Sequence, residues 1–140
     1  MSRGFRELEN ITADLGIEAW GHSLEDAFSS AAHGLASLLS ELPGGEQPLE
    51  KDIHLEADSL STLLVQFLNE IIYLEETQDF LPGAVKHLTL TGNRLDATLT
   101  GAAYDPGIHT LNAQVKAATY HGLEIEKEGD TVRIRVIFDV

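Results

Sequence analysis

The sequence predicts an α+β fold with two layers: one mixed, mostly antiparallel sheet covered by two amphipathic helices. Three observations predict it. Two segments repeat apolar residues at helical spacing, and most of the remainder alternates apolar and polar residues with period two. The chain has 140 residues, 43% of them hydrophobic, which suits one domain (residues 1–140) with its own core.

The elements follow in order. Residues 17–20 (Ile-Glu-Ala-Trp) alternate and make an early strand, part of an N-terminal hairpin. The first helix starts at Ser23, an N-cap residue type, with Asp26 three positions on. Leu24, Ala27, Phe28, Ala31, Ala32, Leu35, Leu38 and Leu39 form its stripe, and Pro43-Gly44 is the expected stop. Ile53, Leu55 and Ala57 mark a strand. Asp58 or Ser59 then caps a second helix with the stripe Leu60, Leu63, Leu64, Phe67, Leu68, Ile71 and Ile72. Its opposite face carries Thr62, Gln66, Asn69 and Glu70. Leu88 and Leu90 lead through the turn Gly92-Asn93 to Leu95, Ala97 and Leu99. Val115 and Ala117 indicate the core side of a strand at 114–120, with Lys116 pointing away. Leu123 and Ile125 mark the next strand. Glu128-Gly129-Asp130 turns the chain into Val132, Ile134, Val136 and Phe138.

Composition narrows the function. There are no cysteines, so disulfides, thiolate catalysis and Cys-type zinc sites are excluded. Nine Lys and Arg against 23 Asp and Glu give a net charge of −14. Such a surface repels a phosphate backbone, so no direct nucleic-acid contact is expected. It reads as a solubilising surface or as a field steering the protein onto a basic partner. No apolar run reaches the roughly 20 residues of a membrane span, and the charged N-terminus lacks a signal-peptide core. The expectation is a cytoplasmic protein without membrane contact.

Catalytic templates are absent: there is no G-x-S-x-G elbow, no P-loop and no G-x-G-x-x-G. The six histidines (His22, His33, His54, His87, His109 and His121) form no H-E-x-x-H or H-x-x-x-H pair and read as ordinary surface or turn residues. Parity in the last strand puts Arg133, Arg135, Ile137 and Asp139 on the face opposite its core residues. The Asp139 carboxylate then lies next to the terminal carboxylate of Val140, a grouping that attracts a hard divalent cation or a lysine. The competing reading, which these residues alone favour, is a frayed terminus in water. Asp14, before Leu15-Gly16, reads as turn chemistry.

Five blocks, in order, resemble the archease family. They are Thr12-Ala13-Asp14-Leu15-Gly16-Ile17, Ala19-Trp20-Gly21 with Ser23-Leu24-Glu25-Asp26-Ala27-Phe28, Leu63-Leu64-Val65-Gln66-Phe67-Leu68-Asn69-Glu70 with Ile72-Tyr73-Leu74, Val115-Lys116-Ala117-Ala118-Thr119-Tyr120-His121-Gly122-Leu123, and Val136-Ile137-Phe138-Asp139-Val140. The fourth is similar to the family's V-K-A-x-T-Y-H-G-L, by itself a fairly specific block. The resemblance implies a small non-enzymatic protein that promotes turnover of an RtcB-type RNA ligase in tRNA splicing or RNA repair. A chaperone-like modulator of a tRNA methyltransferase is the alternative it offers. A metal-dependent hydrolase using the same aspartates lacks a histidine placed as a base. By the same resemblance Asp14, Asp139 and Val140 form a site for a divalent metal (calcium, magnesium or manganese). Lys116, Asp14 and Asp139 serve partner activation. The family reads D-H-T-A-D where this chain has Asn10-Ile11-Thr12-Ala13-Asp14. Asn10 still offers a carbonyl oxygen, but Ile11 cannot ligate a metal. That departure bears on metal affinity and leaves open a divergent archease that has lost metal-dependent activation.

Overall fold

A computed structural model describes residues 3–9, 14–41 and 49–140. The order is β1 (Gly4–Glu7), β2 (Leu15–Gly21), α1 (Leu24–Leu39), β3 (Ser40–Glu41), β4 (Leu49–Glu56), α2 (Leu60–Gln78), β5 (Phe80–Thr91), β6 (Arg94–Ala103), β7 (Thr110–Leu111), β8 (Ala117–Ala118), β9 (Glu124–Glu128) and β10 (Thr131–Asp139). The α+β class and the two helices are as the sequence predicts. No helix among the described residues is long and apolar enough to cross a membrane.

Both predicted caps form. The Ser23 hydroxyl accepts from the Asp26 amide at 3.0 Å, and the Ser59 hydroxyl accepts from the Thr62 amide at 3.1 Å. Each satisfies an amide that the first turn leaves without a helical partner. The end of α1 differs from expectation. The chain turns extended at Ser40 and enters β3, while Pro43-Gly44 lies outside the described residues. α2 runs past its apolar stripe to Gln78 and stops at Asp79, whose φ of 53° is left-handed.

The described strands divide among three antiparallel sheets instead of forming one. The first has the order β1-β2-β10-β8, with β9 also pairing β10, the second is β4-β6-β5, and the third pairs β3 with β7. The physical reason lies in α1. It packs on β2 and β1 of the first sheet and on β5 of the second. A helix with one apolar stripe covers one sheet, but α1 is buried on more than its stripe. Its other positions are small: Ser29, Ser30, Gly34 and Ala36 are all buried. A Cβ added at Gly34 would come within 2.8 Å of Ile17 Cδ1. Small side chains thus admit a second layer, which the stripe alone did not reveal. Phe28, Phe67, Phe80 and Phe138 fill the interior.

The Gly92-Asn93 hairpin is present. Thr91 pairs with Arg94 across it, and Gly92 supplies a φ of 59° that a side chain disfavours. β5 begins earlier than its leucines indicate and carries two register shifts, between Pro82 and Ala84 and between Val85 and His87. The strand expected at 114–120 is reduced to Ala117–Ala118. Val115 and Ala118 are buried there and Ala117 is only partly so, which breaks the expected alternation.

Candidate functional site

The candidate site sits at the end of β10. β2 pairs along one side of this strand, with Phe138 opposite Leu15. β8 pairs on the other, with Phe138 opposite Ala118 and Asp139 opposite Ala117. Continuing these antiparallel registers by one residue sets Asp14 across from Asp139, and Lys116 across from Val140. The Lys116 amide donates to the Asp139 carbonyl at 2.8 Å. One sheet end therefore collects the backbones of Asp14, Lys116, Asp139 and Val140, which are far apart in sequence. Lys116, Asp139 and Val140 are exposed and Asp14 is half-buried, so the group faces solvent.

Local hydrogen bonds hold this end in place. The Thr119 amide and hydroxyl both donate to the Ile137 carbonyl, at 3.1 and 2.9 Å. Asn69, reaching from α2, uses both ends of its amide: Oδ1 accepts from the Ala118 N–H at 2.7 Å and Nδ2 donates to the Ala118 carbonyl at 3.4 Å. It substitutes for a neighbouring strand at the free edge of β8, where Ala118 turns inward as the cross-strand partner of buried Phe138. The sequence puts Asn69 on the face of α2 opposite its apolar stripe. The available signal was its residue type, since asparagine is a poor mid-helix residue unless its side chain has a partner.

The cations on β10 are already engaged. Arg133 pairs with Glu126 and Glu128 at 3.0 and 2.9 Å, and its guanidinium is held in the charged form by the Glu126 hydrogen bond first. Arg135 donates to the Gly122 carbonyl at 3.1 Å. Lys116 makes no ion pair among the described residues, which leaves it available to an external anion or to the nearby carboxylates.

As a metal site the group offers hard oxygens, the donor type that calcium and magnesium take. Asp14 and Asp139 are the two carboxylates that the register brings to this sheet end. Among the described residues no group of three or more His, Cys, Asp or Glu side chains is arranged to hold a metal. Asn10 and Ile11, where the family pattern has an acid and an imidazole, lie outside the described residues.

The histidines lie elsewhere. His33 is not a surface residue. It is half-buried on α1, and its Nε2 accepts from the Val85 amide at 3.0 Å, satisfying a backbone donor between the two irregularities of β5. Burial, and then the charge of Arg3, push the pKa of its ring below the usual value. His54 Nδ1 bonds Asp96 at 2.6 Å on an exposed sheet face. His109 Nδ1 accepts from the Asp105 amide at 2.8 Å.

Comparison with known proteins gives a consistent result. The Archease protein family matches residues 5–140. The chain is 34% identical to the protein archease of Thermococcus kodakarensis over 122 residues, which is 85% of this chain and 86% of that one. It is 30% identical to the protein archease of Methanothermobacter thermautotrophicus over 141 residues, 99% of each chain. The solution structure of Methanobacterium thermoautotrophicum protein 1598 superposes with a TM-score of 0.78 at 28% identity, covering 98% of this chain and 99% of that one. The crystal structure of a Thermotoga maritima archease, described as a possible chaperone, gives 0.65 at 25% identity, covering 96% and 97%.

Proposed function

The chain belongs to the archease family, and from that premise we propose that it is a non-catalytic protein cofactor that promotes turnover of an RtcB-type RNA ligase in tRNA splicing or RNA repair. The observation that carries this reading is the sheet register at the end of β10. It draws Asp14, Lys116 and Asp139 to one sheet end, although nothing about core packing requires charge there. Asp14 and Asp139, with a main-chain oxygen of Val140, would hold a divalent cation, and that cation would supply positive charge toward a phosphoryl group. Lys116, which makes no ion pair among the described residues, meets a phosphate when the client docks. The net charge of −14 steers the domain onto a basic client surface. The protein works by binding and arranging.

The test is a multiple-turnover ligation assay with a cognate ligase, comparing wild type with Asp139→Ala. The variant is expected to lose stimulation while unfolding at an unchanged temperature. Equal stimulation by the two proteins would exclude a role for Asp139.

A second reading has one specific support, the description of the Thermotoga maritima relative as a possible chaperone. In that reading the client is a tRNA methyltransferase, and the protein suppresses client aggregation without a metal requirement. An aggregation assay with and without a chelator separates the two. A chelator-insensitive effect, with no stimulation of ligation, favours the chaperone.

A further inference from the structure

A concave feature of the molecule has a lining that includes none of Asp14, Lys116, Asp139 and Val140. Between the last turns of α2 and the segment at 111–114 there is an open cavity of about 540 Å³. That lies within the roughly 300–1,000 Å³ range of ligand clefts. At roughly 30 Å³ per water it equals the space of about 18 waters, room for a short stretch of chain. Leu39, Leu111 and Ala113 form its apolar wall, and Glu75, Glu76 and Asp79 supply its charge.

The charge here is unbalanced. The last turn of α2 contains no basic residue, and this is the end of a helix where backbone carbonyls already concentrate negative potential. Lys51 reaches that turn, but its Nζ donates to Gln78 Oε1 at 2.8 Å. None of the three carboxylates makes an ion pair among the described residues. Burial, then the neighbouring charges of Glu76 and Asp79, raise the pKa of the Glu75 carboxyl. A cation brought into the cavity relieves that repulsion.

The wall is built in advance. The Asn112 and Ala113 amides donate to the Leu39 and Leu38 carbonyls at 2.9 and 3.0 Å, and Asn112 Nδ2 donates to the Ser37 carbonyl at 3.1 Å. The Tyr104 amide donates to the Asp79 carbonyl at 2.8 Å, tying the next loop to the helix end. In that loop the Ile108 and His109 amides donate to the Asp105 carbonyl, and the Tyr104 and His109 rings stack at 6.3 Å. The loop leaves Ile108 exposed and leads into Leu111, also exposed. Apolar side chains held outward on a fixed loop lose little entropy on binding.

We propose that this cavity is a docking site for a basic segment of a protein partner. It takes one arginine or lysine, the methylene stem against Leu39, Leu111 and Ala113, the cationic head among Glu75, Glu76 and Asp79. A metal ion fits less well, because among the described residues no three acidic side chains are arranged as ligands for one ion. A larger, elongated cation reaches carboxylates spaced in this way, and apolar neighbours of the basic residue meet Ile108 and Leu111. The inference rests on the reading of this chain as a partner-binding protein. It does not involve Asp14, Lys116 or Asp139, so failure of the ligase assay and failure of this site are separate results.

The test titrates the capped tripeptide acetyl-Leu-Arg-Leu-amide into ¹⁵N-labelled full-length protein. Acetyl-Leu-Gln-Leu-amide and spermidine are the comparison probes. Saturable shifts at residues 75–79 and 112–114 are expected, with the arginine peptide bound at least ten-fold more tightly than either comparison probe. The double variant Glu75→Gln/Glu76→Gln, and separately Glu76→Gln alone with its fold checked by circular dichroism, should weaken that binding several-fold and make it less sensitive to salt. Equal binding of the glutamine peptide, shifts confined to other surfaces, or undiminished binding by both variants overturns the proposal. Spermidine binding as tight as the arginine peptide also overturns it, in favour of a small polyamine.

Discussion

α1 is enclosed by two sheets, with Ala27, Phe28, Ala31 and Leu35 fully buried, whereas Lys116, Asp139 and Val140 stand exposed where β10 ends. The first region is apolar and shape-matched, so it carries stability. The second is charged, and little packs on it, so a change there leaves the fold nearly untouched. The difference teaches that the two properties can be perturbed separately, with Asn69 the residue that joins them.

The largest expected effect comes from breaking the first region. Phe28→Ala removes a fully buried ring from the α1 interior and should cost about 3–5 kcal/mol in denaturant unfolding. The fraction that remains folded should stimulate a ligase normally. Selective loss of stimulation at undiminished stability would erase the distinction between the regions. Asn69→Ala should cost about 1–2 kcal/mol by leaving the Ala118 groups without their partner. It should also lower stimulation, because Lys116 loses its support, and a stability loss alone would place Asn69 wholly with the core.

His33 gives a pH dependence of known sign. Its folded-state pKa lies below the model-peptide value of 6.5, so the neutral ring is favoured by folding. Its contribution is complete above pH 6.5 and is lost as pH falls from there through the folded-state value. His33→Gln, which keeps an acceptor for the Val85 amide, should flatten that part of the stability profile. An unchanged slope would assign it to other groups. The smallest effect is at Ser30, whose buried hydroxyl has no partner. Ser30→Ala should be neutral, or stabilising by up to about 1 kcal/mol, in the same unfolding assay. A clear loss would reveal a bond that the geometry does not contain.

Much of the fold was legible because it is written in local pattern. Ser23 and Ser59 cap the helices as their spacing predicts, and the alternation at Val132–Phe138 survives as the core face of β10. What escaped was non-local. The Ala118 backbone groups find their partner in Asn69, 49 residues away in sequence. The second sheet on α1 depends on small residues, whose role is visible only when another layer arrives. Asp14 and Lys116 enter the candidate site through family resemblance, and Asp139 also through strand parity. Their meeting is a matter of register, which no single segment contains. His33 looked ordinary because its partner is a backbone amide produced by irregularity in β5.

The place of β10 has a consequence for the nascent chain. β10 lies inside its sheet, between β2 and β8, yet Ile17 of β2 pairs with Val136, which is 136 − 17 = 119 residues later. At about 5–20 residues per second of synthesis, that side of β2 waits roughly 6–24 seconds for its partner. Until then an apolar strand has an unpaired edge, open to other chains. Pairing at such long range also slows folding after release. Production at reduced temperature, or with a chaperone that shields strand edges, should therefore raise the yield of this protein more than it would for a helical protein of the same size.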